Sequence, residues 1–307
     1  SISFQTGRYD IPRKSRKDIY QSEVDRYNFL KKEGTYFIGE IGINHNGDMG
    51  ITKKLIDAVS ACSWDCAKFQ KRNPDVCVPE HQKDVMRDTP WGRIKYIDYK
   101  YKVEFDKDEY DYISSYCSEK PVDWSASVWD LDSLKFLMQY KLPFIKIPSA
   151  MATNELLVAE TAKTGRPIIM STGMCELKEV DDAVNNVLRY NNNLVLMHTN
   201  SSYPTPKDEI NLRLIPFLKD RYGCRVGYSG HEEDLEPTVI AVALGATVIE
   251  RHITLSHDMW GTDQKSSLEV MAMDMLHKRV KDVNKIMGSA NKEVTKSEIA
   301  IRKKLRG

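Results

Sequence analysis

Two lysines of this 307-residue chain lie inside short, otherwise apolar segments, where a charged side chain is unusual. They are Lys68, in residues 66–70, and Lys146, in residues 144–148. A buried ammonium group is costly unless an anion compensates its charge. Lysines and serine hydroxyls together suit a phosphate, or a phosphate and a carboxylate. We therefore expect an anion site, to which serines at the ends of similar segments contribute: Ser127, Ser149, Ser171 and Ser229.

The two lysines also allow other interpretations. Each could pair with a structural carboxylate and take no part in catalysis. Either could instead form a Schiff base with a carbonyl substrate, as in class I aldolases. The lysines by themselves leave both alternatives open.

His231 and His252 stand at the ends of two further segments of the same kind, and Glu40 lies in the first such segment. Imidazole nitrogens bind divalent metals, so the two histidines could share a metal if their segments are neighbours. Glu40 could act as a base or as a further ligand. The alternative is that both histidines are core residues satisfied by hydrogen bonds.

The elements that carry these residues alternate in a regular way. Amphipathic stretches with helical periodicity, such as residues 51–61, 107–117 and 236–244, separate the short apolar segments. Parallel strands need a crossover between them, so this alternation predicts βαβ units. Eight units in this length predict a single-domain (β/α)8 TIM barrel of the α/β class. The expected strands are residues 36–42, 66–70, 122–127, 144–148, 167–171, 194–198, 225–229 and 247–252.

Active sites of such barrels lie at the C-terminal ends of the strands, where this sequence places its reactive side chains. The alternation is interrupted after the second strand by residues 71–102, which we interpret as a functional loop or lid. The expected organisation is an N-terminal extension, residues 1–34, the barrel, residues 35–288, and a basic tail or linker, residues 289–307.

Composition excludes several classes of protein. Lys and Arg number 45 and Asp and Glu 44, so no broad basic face for nucleic acid is expected. No segment reaches the roughly 20 apolar residues that span a bilayer, and the first thirty residues lack a signal-peptide pattern. Six scattered cysteines without metal-type spacing are expected to be thiols. These features predict a cytoplasmic protein that is not bound to a membrane.

Several motifs resemble those of the sialic acid synthase family, in family order from about residue 36 to 288. They are FIGEIGINHNG at 37–47, KFQ at 68–70, KIPS at 146–149, STGM at 171–174, YP at 203–204, GYSGH at 227–231 and ERHIT at 250–254. The resemblance implies a (β/α)8 barrel that condenses phosphoenolpyruvate with N-acetylmannosamine or a related N-acetylated sugar and releases phosphate. It also implies a divalent metal, Mn²⁺ first, with Mg²⁺ and Co²⁺ as alternatives.

The resemblance further implies roles for individual residues. Glu40 would handle protons, and Lys68 and Lys146 would hold phosphoenolpyruvate. His231 and His252 would bind the metal. The substrate-binding residues would be Gln70, Ser127, Ser149, Ser171, Tyr203, Ser229 and Asp263.

The sequence departs from the family pattern at the sugar end. Gly230 replaces an aspartate found in many members, and residues 261–268 lack the usual proline and histidine. Most characterised members continue into an antifreeze-like domain that contributes an arginine to the partner's sugar site. We expect a homodimer of a shorter form, which closes the sugar site with its own loops or with a partner chain. Residues 71–102 are the first candidate for that role.

Overall fold

A computed structural model describes residues 34–307, so the expected N-terminal extension lies outside the described residues except for Gly34. Eight parallel strands close into a barrel in the order β1-β10-β9-β8-β7-β6-β5-β2, and two more form a separate antiparallel hairpin, β3-β4. The strands are β1 Tyr36–Gly42, β2 Cys66–Lys71, β3 Met86–Thr89, β4 Gly92–Lys95, β5 Asp123–Val128, β6 Ile145–Ile147, β7 Ile168–Ser171, β8 Leu194–Thr199, β9 Arg225–Gly230 and β10 Val248–His252.

Helices cover the outside of the barrel between the strands. The α-helices are α1 Met49–Ala61, α2 Pro74–Cys77, α3 Glu80–Lys83, α4 Tyr96–Lys102, α5 Lys107–Glu119, α6 Leu131–Leu137, α7 Glu155–Lys163, α8 Leu177–Leu188, α9 Leu214–Tyr222, α10 Glu236–Ala243, α11 Val270–Met287 and α12 Glu298–Arg306. Short 3₁₀ turns follow three of the barrel strands: Ser149–Met151, Lys207–Glu209 and Gln264–Ser266.

The predicted single-domain barrel is confirmed, and each of its eight strands begins and ends within one residue of the predicted position. The strand β7 begins just after Pro167, which has no N–H to donate to a neighbouring strand. The helix α7 follows the fourth strand of the chain that belongs to the barrel, as the predicted βα units require, whereas α12, which lies within the basic tail, was not predicted. No helix in residues 34–307 is long and apolar enough to cross a membrane. All six cysteines are free thiols.

The segment 71–102, which we expected to be a long loop, consists largely of the three short helices α2 to α4 and the β3-β4 hairpin. It lies against the first βα loop of the barrel. Gly47 has φ +70°, and a side chain there would collide with the carbonyl oxygen of Lys102 at the end of α4. The segment therefore stands beside the C-terminal ends of the strands, and its action as a lid stays a prediction.

The interior of the barrel divides into an apolar half and a charged half. Side chains alternate along a strand, so Tyr36, Ile38 and Glu40 share the inner face of β1. Tyr36 and Ile38 belong to a buried cluster that closes the N-terminal end of the barrel. Their neighbours Phe37 and Ile41 face outward and pack in the layer between strands and helices. The charged residues of the inner face therefore lie towards the C-terminal end, above an apolar floor.

Candidate active site

Four charged side chains meet inside the barrel: Glu40, Lys68, Lys146 and Glu250. The Lys68 ammonium contacts the Glu40 carboxylate, lies 3.3 Å from Glu250 Oε1, and donates a hydrogen bond of 2.7 Å to Ser127 Oγ. Lys146 Nζ lies 3.1 Å from Glu250 Oε2. Both lysines thus pair with carboxylates, which was one of the alternatives that the sequence left open. These four residues are at most 4% exposed.

We did not single out Glu250 from the sequence, although a usable signal was present. It is a carboxylate inside the apolar segment 247–252, which is the same anomaly that drew attention to the two lysines. In the barrel it binds both lysines at once, which a reading of each segment by itself does not show.

Burial and ion pairing shift the pKa values of the four groups in different directions. Burial raises the pKa of Glu40 to about 7, although Lys68 opposes the shift. Burial also works to raise the pKa of Glu250, but Lys146 and Lys68 hold it well below its usual range. Burial by itself would lower the pKa of Lys68, yet Glu250 and Glu40 outweigh it and the pKa is raised. Burial lowers the pKa of Lys146, against the opposing charge of Glu250. A pKa of about 7 allows Glu40 to exchange a proton near neutral pH.

One oxygen of Glu40 faces a gap in the site. Glu40 Oε1 is buried and has no hydrogen-bond partner, and the same holds for Gln70 Oε1. A Cβ built on Gly42 would lie 3.2 Å from Glu40 Oε1, 3.6 Å from Gln70 Nε2 and 3.7 Å from the His252 ring. Because residue 42 is glycine, no side chain stands between these three side chains.

The predicted serines lie at the same end of the barrel. Ser127 binds Lys68 and pairs in register with Lys146 on the neighbouring strand. Ser171 and Ser229 are buried at the ends of their strands. Ser149 Oγ accepts a hydrogen bond of 2.9 Å from the backbone N–H of Gly173. The hydroxyls thus lie at or just after the C-terminal ends of four different strands, and Ser127 contacts a lysine directly.

The predicted histidines also come together, at the ends of adjacent strands. The rings of His231 and His252 are 5.5 Å apart between centroids. His231 Nδ1 donates to the carbonyl oxygen of Asn200 at 2.6 Å, since that oxygen can only accept. His231 Nε2 therefore carries the lone pair and accepts from the Tyr203 hydroxyl at 2.9 Å. His252 Nε2 lies 3.8 Å from Asp263 Oδ2. Thus the predicted sugar contacts Tyr203 and Asp263 each lie beside one histidine.

The chemistry of the histidine pair fits a divalent cation. Burial lowers the pKa of His231 to about 3 and also lowers the pKa of His252, so both imidazoles are neutral and can bind metal. Asp263 adds a nearby carboxylate. Imidazole nitrogens together with a carboxylate oxygen suit divalent transition metals such as Mn²⁺. Within residues 34–307, no group of three or more His, Cys, Asp or Glu side chains is already arranged to hold a metal. The metal therefore stays a proposal, which rests on the chemistry of these residues.

A second buried ion pair lies behind the histidines and was missed by the sequence analysis. Arg251 is 1% exposed, and its Nη1 lies 3.4 Å from Glu232 Oε1 and 3.0 Å from the Asp234 carbonyl oxygen. Glu232 also accepts hydrogen bonds from the hydroxyls of Tyr228, at 2.7 Å, and Thr238, at 3.1 Å. Because Glu232 follows His231 and Arg251 precedes His252, this pair ties together the two chain segments that carry the histidines.

Comparisons with known proteins show which proteins the whole chain is similar to. The chain is 35% identical over 270 residues to N,N'-diacetyllegionaminic acid synthase of Campylobacter jejuni, a match that covers 86% of this chain and 80% of that protein. It is 34% identical over 277 residues to N-acetylneuraminate-9-phosphate synthase of Mus musculus, which covers 89% of this chain and 77% of that protein.

A solved structure and a family model give the same result. The crystal structure of N-acetylneuraminic acid (sialic acid) synthetase from Leptospira borgpetersenii, in complex with citrate, matches with a TM-score of 0.80 and 28% identity. The match covers 89% of this chain and 93% of that chain. Residues 55–292 match the model of the NeuB family. The resemblance of the motifs is thereby confirmed, and the chain belongs to the NeuB family.

Proposed function

We propose that the protein is a nonulosonic acid synthase, which condenses phosphoenolpyruvate with N-acetylmannosamine or a related N-acetylated sugar and releases phosphate. The observation that carries this proposal is the meeting of Glu40, Lys68, Lys146 and Glu250 beside the two buried histidines. The relatives support it, because they are synthases of N,N'-diacetyllegionaminic acid, N-acetylneuraminate 9-phosphate and, at 28% identity, pseudaminic acid.

Lys68 and Lys146 would bind the anionic groups of phosphoenolpyruvate. Both ammonium groups are now held by Glu40 and Glu250, so the incoming phosphate or carboxylate replaces one set of anions by another. When Glu40 is protonated, the two lysines face a single carboxylate, and the four groups together carry a net positive charge. Hydroxyl donors complete the anion site: Ser127, Ser149, Ser171 and Ser229.

The reaction forms one carbon–carbon bond and breaks one carbon–oxygen bond. The methylene carbon of phosphoenolpyruvate attacks the aldehyde carbon of the open-chain sugar. Water captures the cationic centre left on the former enol carbon, and one of its two protons passes through Glu40 to the former aldehyde oxygen, which becomes a hydroxyl. The other proton leaves with phosphate when the tetrahedral centre breaks its carbon–oxygen bond to phosphate and becomes the keto group of the product. A pKa of about 7 suits Glu40 to this proton transfer.

His231 and His252 would hold the divalent metal, with Asp263 nearby. When bound there, the metal acts as a Lewis acid that polarises the sugar aldehyde. The remaining residues at this end orient the sugar: Tyr203 lies in contact with His231, and Gln70 lies beside Glu40.

Phosphate release tests the proposal. We expect the protein, incubated with Mn²⁺, phosphoenolpyruvate and a panel of N-acetylated hexoses, to release phosphate with at least one sugar. Mass spectrometry should show a product that joins all three carbons of pyruvate to that sugar. Chelation of the metal should abolish the reaction, and Mn²⁺ should restore it. No phosphate release across the panel, with Mn²⁺ binding shown by calorimetry, would count decisively against the proposal.

The Schiff-base aldolase that the sequence left open is not favoured by the relatives, which are synthases. Borohydride treatment in the presence of pyruvate separates the two chemistries, because only an imine gives a stable adduct on Lys68 or Lys146. We expect no such adduct, and its detection by mass spectrometry would replace the proposed reaction with the aldolase alternative. A barrel that only binds ligands is the remaining alternative, and phosphate release excludes it.

A further inference from the structure

Four cationic side chains of the segment 71–102 have no acidic partner within residues 34–307, and three of them lie near one another. We call Arg72, Arg87 and Lys100 the cation cluster; none of them forms an ion pair or a side-chain hydrogen bond in that part of the chain. Other cations of the segment are paired with carboxylates: Lys71 binds Glu104 at 3.0 Å, Lys95 binds Asp84 at 3.0 Å, and Arg93 binds Asp88 at 3.3 Å.

Aromatic rings hold the cation cluster in place without neutralising it. The Arg87 guanidinium lies 4.2 Å from the centre of the Tyr96 ring, and Lys100 Nζ lies 5.3 Å from the same ring. The Arg72 guanidinium lies 4.0 Å from the centre of a ring of Trp129. Such contacts fix the position of a cation but leave its charge available to an anion.

The cation cluster lies beside the sugar end of the proposed site. Arg72 directly follows β2, whose inner face carries Lys68. Tyr99, on the same helix as Lys100, meets the edge of Trp260 with 5.4 Å between ring centroids. Trp260 precedes Asp263 by three residues, and Asp263 lies 3.8 Å from His252. A sugar whose aldehyde lies at the histidines can therefore extend past Asp263 towards the cluster.

The charges of the cluster act on one another. Burial, followed by the positive charge of Arg72, lowers the pKa of Lys100 to about 8, against the opposing charges of Asp263 and Glu104. Burial also lowers the pKa of Arg72. Positive charge is thus concentrated here without full compensation, and a bound anion would relieve it.

We propose that Arg72, Arg87 and Lys100 bind an anionic substituent, a phosphate or a carboxylate, at the end of the acceptor sugar remote from its aldehyde. This inference rests on the proposed function and narrows its substrate class from any N-acetylated hexose to one with a charged far end. Aromatic side chains around the cluster would pack against the sugar: Tyr96, Tyr99 and Trp260.

Acceptors that differ only in charge test the inference. With Mn²⁺ and phosphoenolpyruvate, we compare N-acetylmannosamine, its 6-phosphate, and the analogue with a carboxylate at carbon 6. We expect kcat/KM to be at least about 10-fold higher for one of the two anionic sugars than for the neutral one, the size of a charge-assisted hydrogen bond. Which anionic sugar is preferred separates phosphate from carboxylate.

Substitutions show which residues cause the preference for an anionic sugar. Lys100→Met and Arg87→Met should each reduce the preference for the anionic sugar by about 10-fold, chiefly through its KM. Lys100→Arg should retain most of it. Arg93→Met is the matched control, because Arg93 lies exposed on the same hairpin and is already paired with Asp88, and it should leave the preference unchanged.

Two results would overturn the inference while leaving the proposed function intact. One is equal kcat/KM for neutral and anionic sugars; the other is variants that raise KM for phosphoenolpyruvate instead of the sugar. If no sugar turns over, the proposed function fails, and calorimetry on the Mn²⁺-loaded protein decides the subsite separately. Tighter binding of an anionic sugar that Lys100→Met removes would then support the subsite, and equal binding of charged and neutral sugars would refute it.

Discussion

Glu40 and Glu232 are two buried carboxylates at the same end of the barrel, and they differ in how completely their oxygens are hydrogen-bonded. Glu232 has both oxygens occupied, by Arg251 and Thr238 on one side and Tyr228 on the other. Glu40 contacts Lys68 with one oxygen, and its other oxygen is buried without a partner. A satisfied carboxylate holds its neighbours in place, whereas one with a free oxygen can take up a proton or a ligand.

The same contrast runs along a single strand. Glu250, Arg251 and His252 are consecutive, and alternation turns Glu250 and His252 into the barrel while Arg251 faces the helices. The inward residues take part in the candidate site, and the outward one anchors the loop that carries His231. Burial of a charge therefore does not by itself identify a functional residue. The completeness of its hydrogen bonding distinguishes the two cases.

The largest expected effect is a loss of stability when the buried pair of Arg251 and Glu232 is broken. Arg251→Met leaves Glu232 buried without its cation, and we expect the free energy of unfolding to fall by about 3–5 kcal/mol. Urea unfolding followed by circular dichroism measures the change. Arg279→Met is the matched control, because Arg279 forms an exposed pair with Glu236 at 3.1 Å, and it should cost less than about 1 kcal/mol. Equal losses in the two variants would remove the distinction between the buried pair and a surface pair.

The next largest expected effect is a loss of activity when Glu40 is replaced. Glu40→Gln keeps the shape of the side chain but cannot accept a proton, so we expect kcat to fall by about 10²–10⁴-fold. At pH 5, where Glu40 is protonated and as neutral as glutamine, the free energy of unfolding should change by less than about 1 kcal/mol, because Lys68 retains Glu250 and Ser127. Steady-state phosphate release and urea unfolding give the two values. A stability loss as large as that of Arg251→Met would mean that Glu40, too, is chiefly structural.

A smaller effect concerns pH. The pKa of Glu40 is about 7 in the folded protein and near its ordinary value of 4.5 when unfolded, so between these values the folded state holds a proton that the unfolded state has lost. The contribution of Glu40 to stability is thus present below about pH 4.5 and is lost as the pH rises through 7, by at most about 1.4 kcal/mol per pH unit. Urea unfolding from pH 5 to 8 should show this loss in the wild type minus the Glu40→Gln variant. A flat difference across that range would mean that Glu40 is ionised throughout.

The smallest effect compares two serines on one strand. Ser127 accepts from Lys68, and Ser125, two residues earlier, donates to the Phe144 carbonyl oxygen at 2.6 Å. We expect Ser127→Ala to raise KM for phosphoenolpyruvate about 5-fold, the equivalent of one hydrogen bond of about 1 kcal/mol. Ser125→Ala should lower stability by a similar free energy and leave KM unchanged. If Ser125→Ala raised KM and Ser127→Ala only lowered stability, the anion site would lie deeper in the barrel.

Much of the site could be predicted because the sequence pattern of most elements is visible within a single short segment. Lys68 and Lys146 stand out as charges in apolar segments, and the strand ends follow from the alternation of short apolar runs with helical patterns. The hairpin of residues 86–95 and the helix α12 were missed, since their patterns are short or polar. The homodimer, the cytoplasmic location, the metal and the domain boundaries stay predictions.

The sequence by itself determined the closed barrel, the end at which the reactive groups gather, and the membership of the NeuB family, because hydrophobic periodicity and local motifs are properties of consecutive residues. Only the tertiary structure decided which charge meets which. The bridging role of Glu250, the pairing of Arg251 with Glu232, and the unpaired cluster on residues 71–102 depend on strands and loops far apart in the chain. Such contacts arise from barrel closure, which sets the distances between charges on different elements and leaves no trace in any one segment.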